Sequence, residues 1–213
     1  MDVTWYGHGC FRLRGRGAAV VNDPYPPALG PKLGRLEADL VTISHEHDHH
    51  NYVRAVAKDP FLIRDPGEYE VAGVTVIGVP TFHDDKKGET HGRNTVFLLG
   101  IDDVSVCHLG DLGHALDDRS LEWLGKVDVL LVPVGGGATL DATRGAEVVR
   151  QIEPRYVVPM HYALPQIHVD LQPIDRFLEE MGVESQERQP KLTVQASSST
   201  EGETKVVLLE PRV

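Results

Sequence analysis

Short apolar runs separated by turn-forming residues dominate the first half of the chain. Asp39–Ser44 is apolar, β-branched and too short for a helix, so it predicts a buried β-strand. The same pattern predicts further strands at Val3–Tyr6, Cys10–Arg14, Ala18–Asn22, Phe61–Arg64, Val74–Val79, Asn94–Gly100 and Val104–Leu109. The polar, Pro/Gly-rich segment Asp23–Gly34 predicts a rim loop rather than core.

The second half of the chain alternates between strand and helix patterns. Helices are predicted at Tyr52–Lys58, Arg119–Leu124, Asp141–Ile152 and Leu171–Met181, and strands at Val127–Val134 and Tyr156–Met160. Two more strands are predicted within Lys191–Pro211, around a turn at Ser197–Gly202. A strand-rich beginning followed by strand–helix alternation predicts an α/β protein with sheets covered by helices.

Length and composition predict one globular domain over residues 1–213, with 41% hydrophobic and 25% charged residues. No apolar run approaches the roughly 20 residues needed to span a bilayer. The N-terminal segment lacks a signal-peptide pattern, so we expect a cytoplasmic protein with no membrane association. Cys10 and Cys107 are too few for a disulfide framework and are expected to be buried thiols.

The net charge is −11, from 21 basic and 32 acidic residues. A surface of that sign disfavours a nucleic-acid partner, although a local basic or metal site can still hold one anion. We therefore expect a small-molecule substrate.

The strand at Asp39–Ser44 leads directly into a burst of histidines. They are His45, His47, His49 and His50. Neutral imidazole is the commonest protein ligand for transition metals, and a strand end cannot bury several imidazoles without partners. His45 and His47 lie two apart on extended backbone, so both can face the same side. The pattern predicts a metal site.

Three other predicted strands also end in a candidate metal ligand. His83, Asp111 and His161 each follow an apolar run. Because strand ends are rigid, they can aim such side chains into one shared cleft. The strand ends therefore extend the predicted site to four separate segments.

The ligand types suit two metal ions. His45, His47 and His83 are candidates for the first ion, and His50 and His161 for the second. The carboxylate of Asp111 can bridge both. Ions about 3.5–4 Å apart can share a hydroxide that forms near neutral pH.

Together these motifs resemble the metallo-β-lactamase superfamily, particularly its branch of small metal-dependent hydrolases that includes L-ascorbate-6-phosphate lactonase-like proteins. The resemblance covers His-x-His-x-x-His after a strand, a later His, a Gly-Asp and a final Met-His. Supporting segments are Trp5–Phe11, Asn22–Pro24, Cys107–Gly113 and Leu131–Gly136. The resemblance implies a four-layer αββα sandwich with the metals in a cleft at one edge of the two sheets.

One position departs from the superfamily pattern. The usual signature is His-x-His-x-Asp-His, and His49 stands where the Asp belongs. Either His49 ligates the second metal, or a local shift brings in Asp48; we expect His49, because Asn51 then keeps its register. The exchange raises the net charge of the site, which favours an acidic bound water and weakens the second metal. Catalysis is thus expected to depend on Asp111 and on His49 or Asp48.

Two further histidines are candidates for supporting roles. His8, in a Gly-rich turn, is interpreted as a residue that either supports the metal ligands or contacts substrate. His108 is interpreted as a group that orients a ligand, since metal-bound groups usually need outer hydrogen bonds. The segment Lys86–Asn94 is either a solvated loop or a source of positive charge for an anionic substrate.

The predicted function is a hydrolase in which a metal-bound hydroxide cleaves an ester, lactone, amide or phosphoester, with small anionic molecules among the candidate substrates. Two divalent ions are expected, zinc first, although the same ligands accept Mn, Fe or Ni. The alternatives are a nuclease of the same superfamily and a non-catalytic metal-binding or sensing protein. Oligomeric state leaves no trace in the sequence.

Overall fold

The computed structural model describes residues 1–184, 186–196 and 203–212. Its strands are β1 Asp2–Trp5, β2 Phe11–Arg14, β3 Ala19–Asn22, β4 Leu36–Glu37, β5 Leu40–Thr42, β6 Val56–Ala57, β7 Phe61–Ile63, β8 Gly67–Val71, β9 Val74–Phe82, β10 Arg93–Ile101, β11 Val104–His108, β12 Val129–Pro133, β13 Tyr156–Met160, β14 Leu192–Thr193 and β15 Lys205–Val206. Its α-helices are α1 Asp118–Leu124, α2 Ala142–Ile152 and α3 Asp175–Glu180. The predicted turn at Ser197–Gly202 lies outside the described residues.

The strands form two large sheets and one two-stranded ladder. The six-stranded sheet has the order β14-β1-β2-β3-β5-β7, and the seven-stranded sheet has the order β15-β13-β12-β11-β10-β9-β8. One continuous apolar cluster includes residues of both sheets, and the Trp5 ring lies 5.2 Å from the Tyr162 ring within it. The predicted mixed α/β class is confirmed.

Strand direction brings several strand ends to one edge of the seven-stranded sheet. β9 and β11 are both antiparallel to β10, and β12 and β13 run parallel to β11. The carboxyl ends of β9, β11 and β13 therefore point the same way. The fold thus gathers three of the segments that carry predicted metal ligands.

Helix α2 forms where its sequence predicts it. The Asp141 side chain accepts a hydrogen bond from the N–H of Arg144, which satisfies one of the free donors of the first turn. Val148 and Val149 lie on its buried face, and the helix contacts β12 and α3. No helix in the described part of the chain is both long and apolar enough to cross a membrane.

Several predicted bounds were wrong for local reasons. The helix predicted at Tyr52–Lys58 is a single 3₁₀ turn, Val53–Ala55, followed by β6, which pairs with β4. The prediction missed strand β8 because it followed continuous apolar runs, whereas Glu68 and Glu70 alternate along β8 in the pattern of a half-exposed strand. Strand β9 continues past Pro80 because its pairing with β8 does not extend beyond Gly78. The missing N–H of the proline therefore faces no neighbouring strand.

The predicted buried thiols are confirmed, since Cys10 and Cys107 are both free and buried.

Replacing Gly135 with alanine is expected to destabilise the fold by about 1–3 kcal/mol, because an added methyl group clashes with the backbone carbonyl of His161. Urea unfolding of the metal-free protein measures the change. Gly17→Ala is the matched control, since nothing lies within 4 Å of its added carbon. Equal unfolding free energies for the two variants would contradict the tight packing at Gly135.

Candidate metal centre

The site forms where the ends of both sheets meet. His83 follows β9 directly, His161 follows β13 directly, and Asp111 follows β11 after a two-residue turn. His45 comes from the other sheet, shortly after β5. All four side chains are buried. The structure thus brings together ligands predicted from four different segments.

A single carboxylate oxygen lies at the centre of this group. The Oδ2 atom of Asp111 is 3.1 Å from Nε2 of His83, 3.3 Å from His50, 3.4 Å from His161 and 3.6 Å from His45. One oxygen cannot accept well-aligned hydrogen bonds from four imidazoles. It can, however, lie between two cations, each of which is bound by some of those imidazoles.

Three histidines form one face of the centre. The ligand atoms of His45, His47 and His83 all lie within 4.8 Å of one another. Their rings stand at steep angles, with centroids 4.6 Å apart for His45–His47 and 4.8 Å apart for His45–His83. Convergence of three nitrogens with one position open toward solvent is the arrangement that catalytic zinc sites use.

A second group of three histidines lies on the other side of Asp111. It consists of His8, His50 and His161, whose ligand atoms also lie within 4.8 Å of one another, and all three are buried. His50 and His161 were expected at this position. His8 was expected only in a supporting role.

The structure does not place His49 or Asp48 in either group. A turn closes with the hydrogen bond from the N–H of His50 to the carbonyl of His47, and it turns both intervening side chains outward. His49 and Asp48 are exposed, whereas His50 is buried. The ligand role expected for His49, with Asp48 as its alternative, therefore has no support from this geometry.

Asp23 holds the His50 ring from behind. Its Oδ2 lies 3.0 Å from Nδ1 of His50, and its Oδ1 accepts a hydrogen bond of 2.8 Å from the backbone N–H of Ser44. Asp23 is fully buried. A carboxylate in this position fixes the ring orientation and leaves Nε2 free to bind metal.

The backbone around Asp111 is fixed by Asn94. The Asn94 side chain accepts a hydrogen bond from the N–H of Asp111 and donates to the carbonyl of Leu109. Between them, Gly110 adopts a φ of +57°, and a side chain there would collide with Asn94 and Ser44. His108, expected to orient a ligand, accepts a hydrogen bond from the N–H of Gly110 at Nδ1 and bonds the Gly9 carbonyl through Nε2 at 2.9 Å.

The surroundings lower the pKa of some of these histidines and raise the pKa of others. Burial lowers the pKa of His8 well below its usual value and that of His45 to about 3. For His50, burial is outweighed by the Asp111 and Asp23 carboxylates, which raise its pKa to about 10. His83 is also raised, because Asp111 again outweighs burial. Without metal, a proton on His50 balances part of the negative charge of the buried carboxylates.

Metal binding is consequently expected to release at least about one proton per chain at pH 7, because a ligating imidazole must be neutral. The pKa of His50 near 10 also means that protons compete more strongly as the pH falls, so affinity drops toward acid pH. Zinc titration by calorimetry in two buffers of different ionisation enthalpy measures the released protons. Identical heats in both buffers, with affinity independent of pH, would contradict the predicted charge state.

Unsatisfied polar atoms show that the residues fit metal ions. Among the described residues, the buried side-chain atoms without a hydrogen-bond partner include both ring nitrogens of His8, Nε2 of His45, Nδ1 of His161 and Oδ1 of Asp111. Leaving such groups unpaired inside a protein costs about 1–3 kcal/mol each. Cations at this position could accept one lone pair from each of these imidazoles and one from Asp111.

Sequence reasoning missed the role of Asp23 and did not include His8 among the ligand candidates. Asp23 follows β3 directly, so it shares the strand-end pattern that identified His83. His8 lies in a turn between two short strands and shows no ligand spacing to another histidine. Only the approach of β1 and β13 segments in the fold reveals it.

Two layers of sheet with a histidine- and aspartate-lined centre at one edge define the metallo-β-lactamase type of fold. A family model described as "Beta-lactamase superfamily domain" matches residues 2–161. A UPF0173 protein of Pyrococcus abyssi is 32% identical over 76% of this chain and 83% of its own length. The chain belongs to the beta-lactamase superfamily, and within it to the UPF0173 family.

Two further comparisons support the same assignment. A UPF0173 metal-dependent hydrolase of Pyrococcus horikoshii is 28% identical, covering 84% of this chain and 92% of its own length. A crystal structure of a metallo-β-lactamase superfamily protein from Thermotoga maritima is 36% identical with a TM-score of 0.79, covering 98% of this chain and 99% of that one. The predicted superfamily and its αββα sandwich are confirmed.

Proposed function

We propose that this protein is a metal-dependent hydrolase that holds two divalent ions around Asp111. The observation that carries the proposal is the convergence of four imidazole nitrogens within 3.6 Å of one carboxylate oxygen. Relatives named as metal-dependent hydrolases, such as that of Pyrococcus horikoshii, support the reaction class. Zinc suits this ligand set, and Mn, Fe or Ni are compatible with it.

When bound, the ions would acidify a water molecule and stabilise negative charge that develops on the substrate. The chain supplies the remaining chemistry. His45, His47 and His83 would hold one ion, and His50 and His161 the other, with Asp111 between them. Asp23 keeps the His50 ring oriented, and Asn94 keeps Asp111 in place.

A cleft beside the first histidine group supports a small substrate. Its volume is about 670 Å³, within the range of small-molecule sites. Pro80 and Phe82 give it an apolar wall, and Arg93 and His47 are among its other lining residues. This combination suits a compact ester, lactone, amide or phosphoester with an apolar part and an anionic group.

Hydrogen bonds to one carboxylate fix the conformation of the loop before Arg93. The Asp84 carboxylate accepts hydrogen bonds from backbone N–H groups of Lys86, Gly88, Thr90 and His91. The His91 ring lies 5.4 Å from that of His83, so the loop closes over the first histidine group. The anchored loop supports a defined cleft wall near the metals.

We also propose a cytoplasmic location and a single-domain protein.

The function is tested by assaying the purified chain against phosphodiester, lactone and thioester probes before and after metal removal with a chelator. We expect turnover of at least one probe class, its loss on stripping, and its return on adding zinc or another divalent ion. Turnover that survives stripping would contradict the proposal. Tight metal binding with no turnover of any probe would favour the non-catalytic alternative, and RNA cleavage the nuclease.

A further inference from the structure

His8 lies against the second histidine group although it comes from a distant turn. Its ring centroid is 4.3 Å from that of His161 and 4.6 Å from that of His50. Its ligand atom falls within 4.8 Å of theirs. The His8 side chain is therefore placed to share a cation with both.

His8 differs from the other buried histidines in the described part of the chain because neither of its ring nitrogens has a hydrogen-bond partner. His108, for comparison, bonds the Gly9 carbonyl, and His50 bonds Asp23. The His8 side chain is only 2% exposed, so water does not solvate it from outside. A buried imidazole without partners is costly, and a metal ion is a partner that would repay the cost.

The backbone holds His8 in an unfavourable conformation. Its φ is +51°, a left-handed value that costs a non-glycine residue about 1–3 kcal/mol. The carbonyl of His8 accepts hydrogen bonds from Nε1 of Trp5 and from the backbone N–H of His161. Strain that persists under such constraints is concentrated at functional sites.

Gly9, the residue after His8, lies close to the His50 ring. A side-chain carbon at Gly9 would lie 3.2 Å from the His50 ring, closer than most real contacts. The absence of a side chain lets the turn that carries His8 pack directly against His50. The turn is thus fitted to the second histidine group.

His49 does not compete for this position. Its side chain is exposed, and its ring centroid lies 6.1 Å from that of His8 in an edge-on arrangement. Since the turn at His47–His50 directs it to solvent, the position that holds an Asp in the superfamily pattern contributes no ligand atom to the second group.

We infer that His8 is a direct ligand of the second metal ion, together with His50, His161 and Asp111. The His8 imidazole replaces the carboxylate ligand that position 49 lacks. The inference rests on the proposed two-metal function. Each ion would then have three imidazoles and a share of Asp111, so the two halves of the centre carry equal ligand sets. The second ion would be held as firmly as the first, in contrast to the weak site expected from the sequence.

Zinc binding to His8→Asn and His49→Ala, measured by competition with a chromophoric chelator, tests the inference. Asparagine tolerates left-handed φ values, so His8→Asn removes the imidazole with little change in backbone preference. We expect the wild type to bind two zinc ions tightly, His8→Asn to bind the second about 100-fold more weakly or not at all, and His49→Ala to match the wild type. Two tight ions in His8→Asn, or loss of one in His49→Ala, would overturn the inference.

Thermal melts separate a ligand from a structural role. If His8 is a ligand, the metal-free His8→Asn protein melts at or above the wild-type temperature, and only the zinc-induced increase in melting temperature shrinks. A metal-free variant that melts lower, with the full zinc increase retained, would show a structural role instead. Wild type that binds fewer than two zinc ions would overturn the proposed two-metal function itself. Wild type and His8→Asn that both bind two ions tightly would overturn only the assignment of His8.

Discussion

Asp111→Asn is expected to reduce metal-dependent hydrolysis by at least about 10²–10³-fold, the scale on which loss of one transition-state stabiliser acts. The carboxylate oxygen faces four imidazole nitrogens, and asparagine keeps its shape while removing its charge. The neutral amide cannot balance two cations. Steady-state rates on any probe that the wild type cleaves, divided by bound metal, measure the effect.

The matched control is Asp128→Asn. Asp128 is another buried carboxylate, but it bonds the N–H and hydroxyl of Ser105 away from the centre. We expect this variant to lose stability and to keep its rate per folded molecule. Unchanged hydrolysis per bound metal in Asp111→Asn would exclude a bridging role for Asp111.

Asp23→Asn is expected to weaken metal binding by about 10–100-fold, the usual cost of removing a carboxylate that supports a ligand histidine. The substitution removes the charge that holds the His50 ring through Nδ1 at 3.0 Å. It also weakens the contact to Ser44, the residue before His45. Chelator competition with zinc, compared with Asp128→Asn, measures the affinity.

The pH dependence gives this variant a second readout. Burial raises the pKa of Asp23, but the hydrogen bond with His50 and the electrostatic interactions with His108, His50 and His45 together outweigh it and lower the value overall. Removing the carboxylate removes one of the two groups that raise the pKa of His50, so the pH range over which protons compete with zinc should shift downward. Wild-type affinity and an unchanged pH profile of zinc binding in Asp23→Asn would show that Asp23 only packs against the ring.

Most of the centre could be predicted from sequence because strand ends are local features. His45, His83, Asp111 and His161 each follow an apolar run, and parallel strand ends meet at one edge whatever lies between them. The structure does bring these four together. Helix bounds were less accurate where tertiary contacts decide, as at the 3₁₀ turn Val53–Ala55, where pairing of β6 with β4 overrides helical spacing.

The second histidine group shows what local pattern cannot provide. His49 was expected to bind because its register matches a superfamily motif, yet one turn hydrogen bond directs it outward. His8 has no motif spacing to any histidine. It reaches the centre because the turn after β1 lies against the end of β13, where the N–H of His161 donates to the His8 carbonyl. Side-chain direction within a short turn depends on backbone angles that a motif does not encode.

Anomalous diffraction from a zinc-loaded crystal of the full chain tests the two-metal centre most directly. Two peaks are predicted about 3.5–4 Å apart on either side of Asp111, one among His45, His47 and His83 and the other beside His50 and His161. Peaks elsewhere on the protein, or no bound zinc at Asp111, would contradict the centre proposed here.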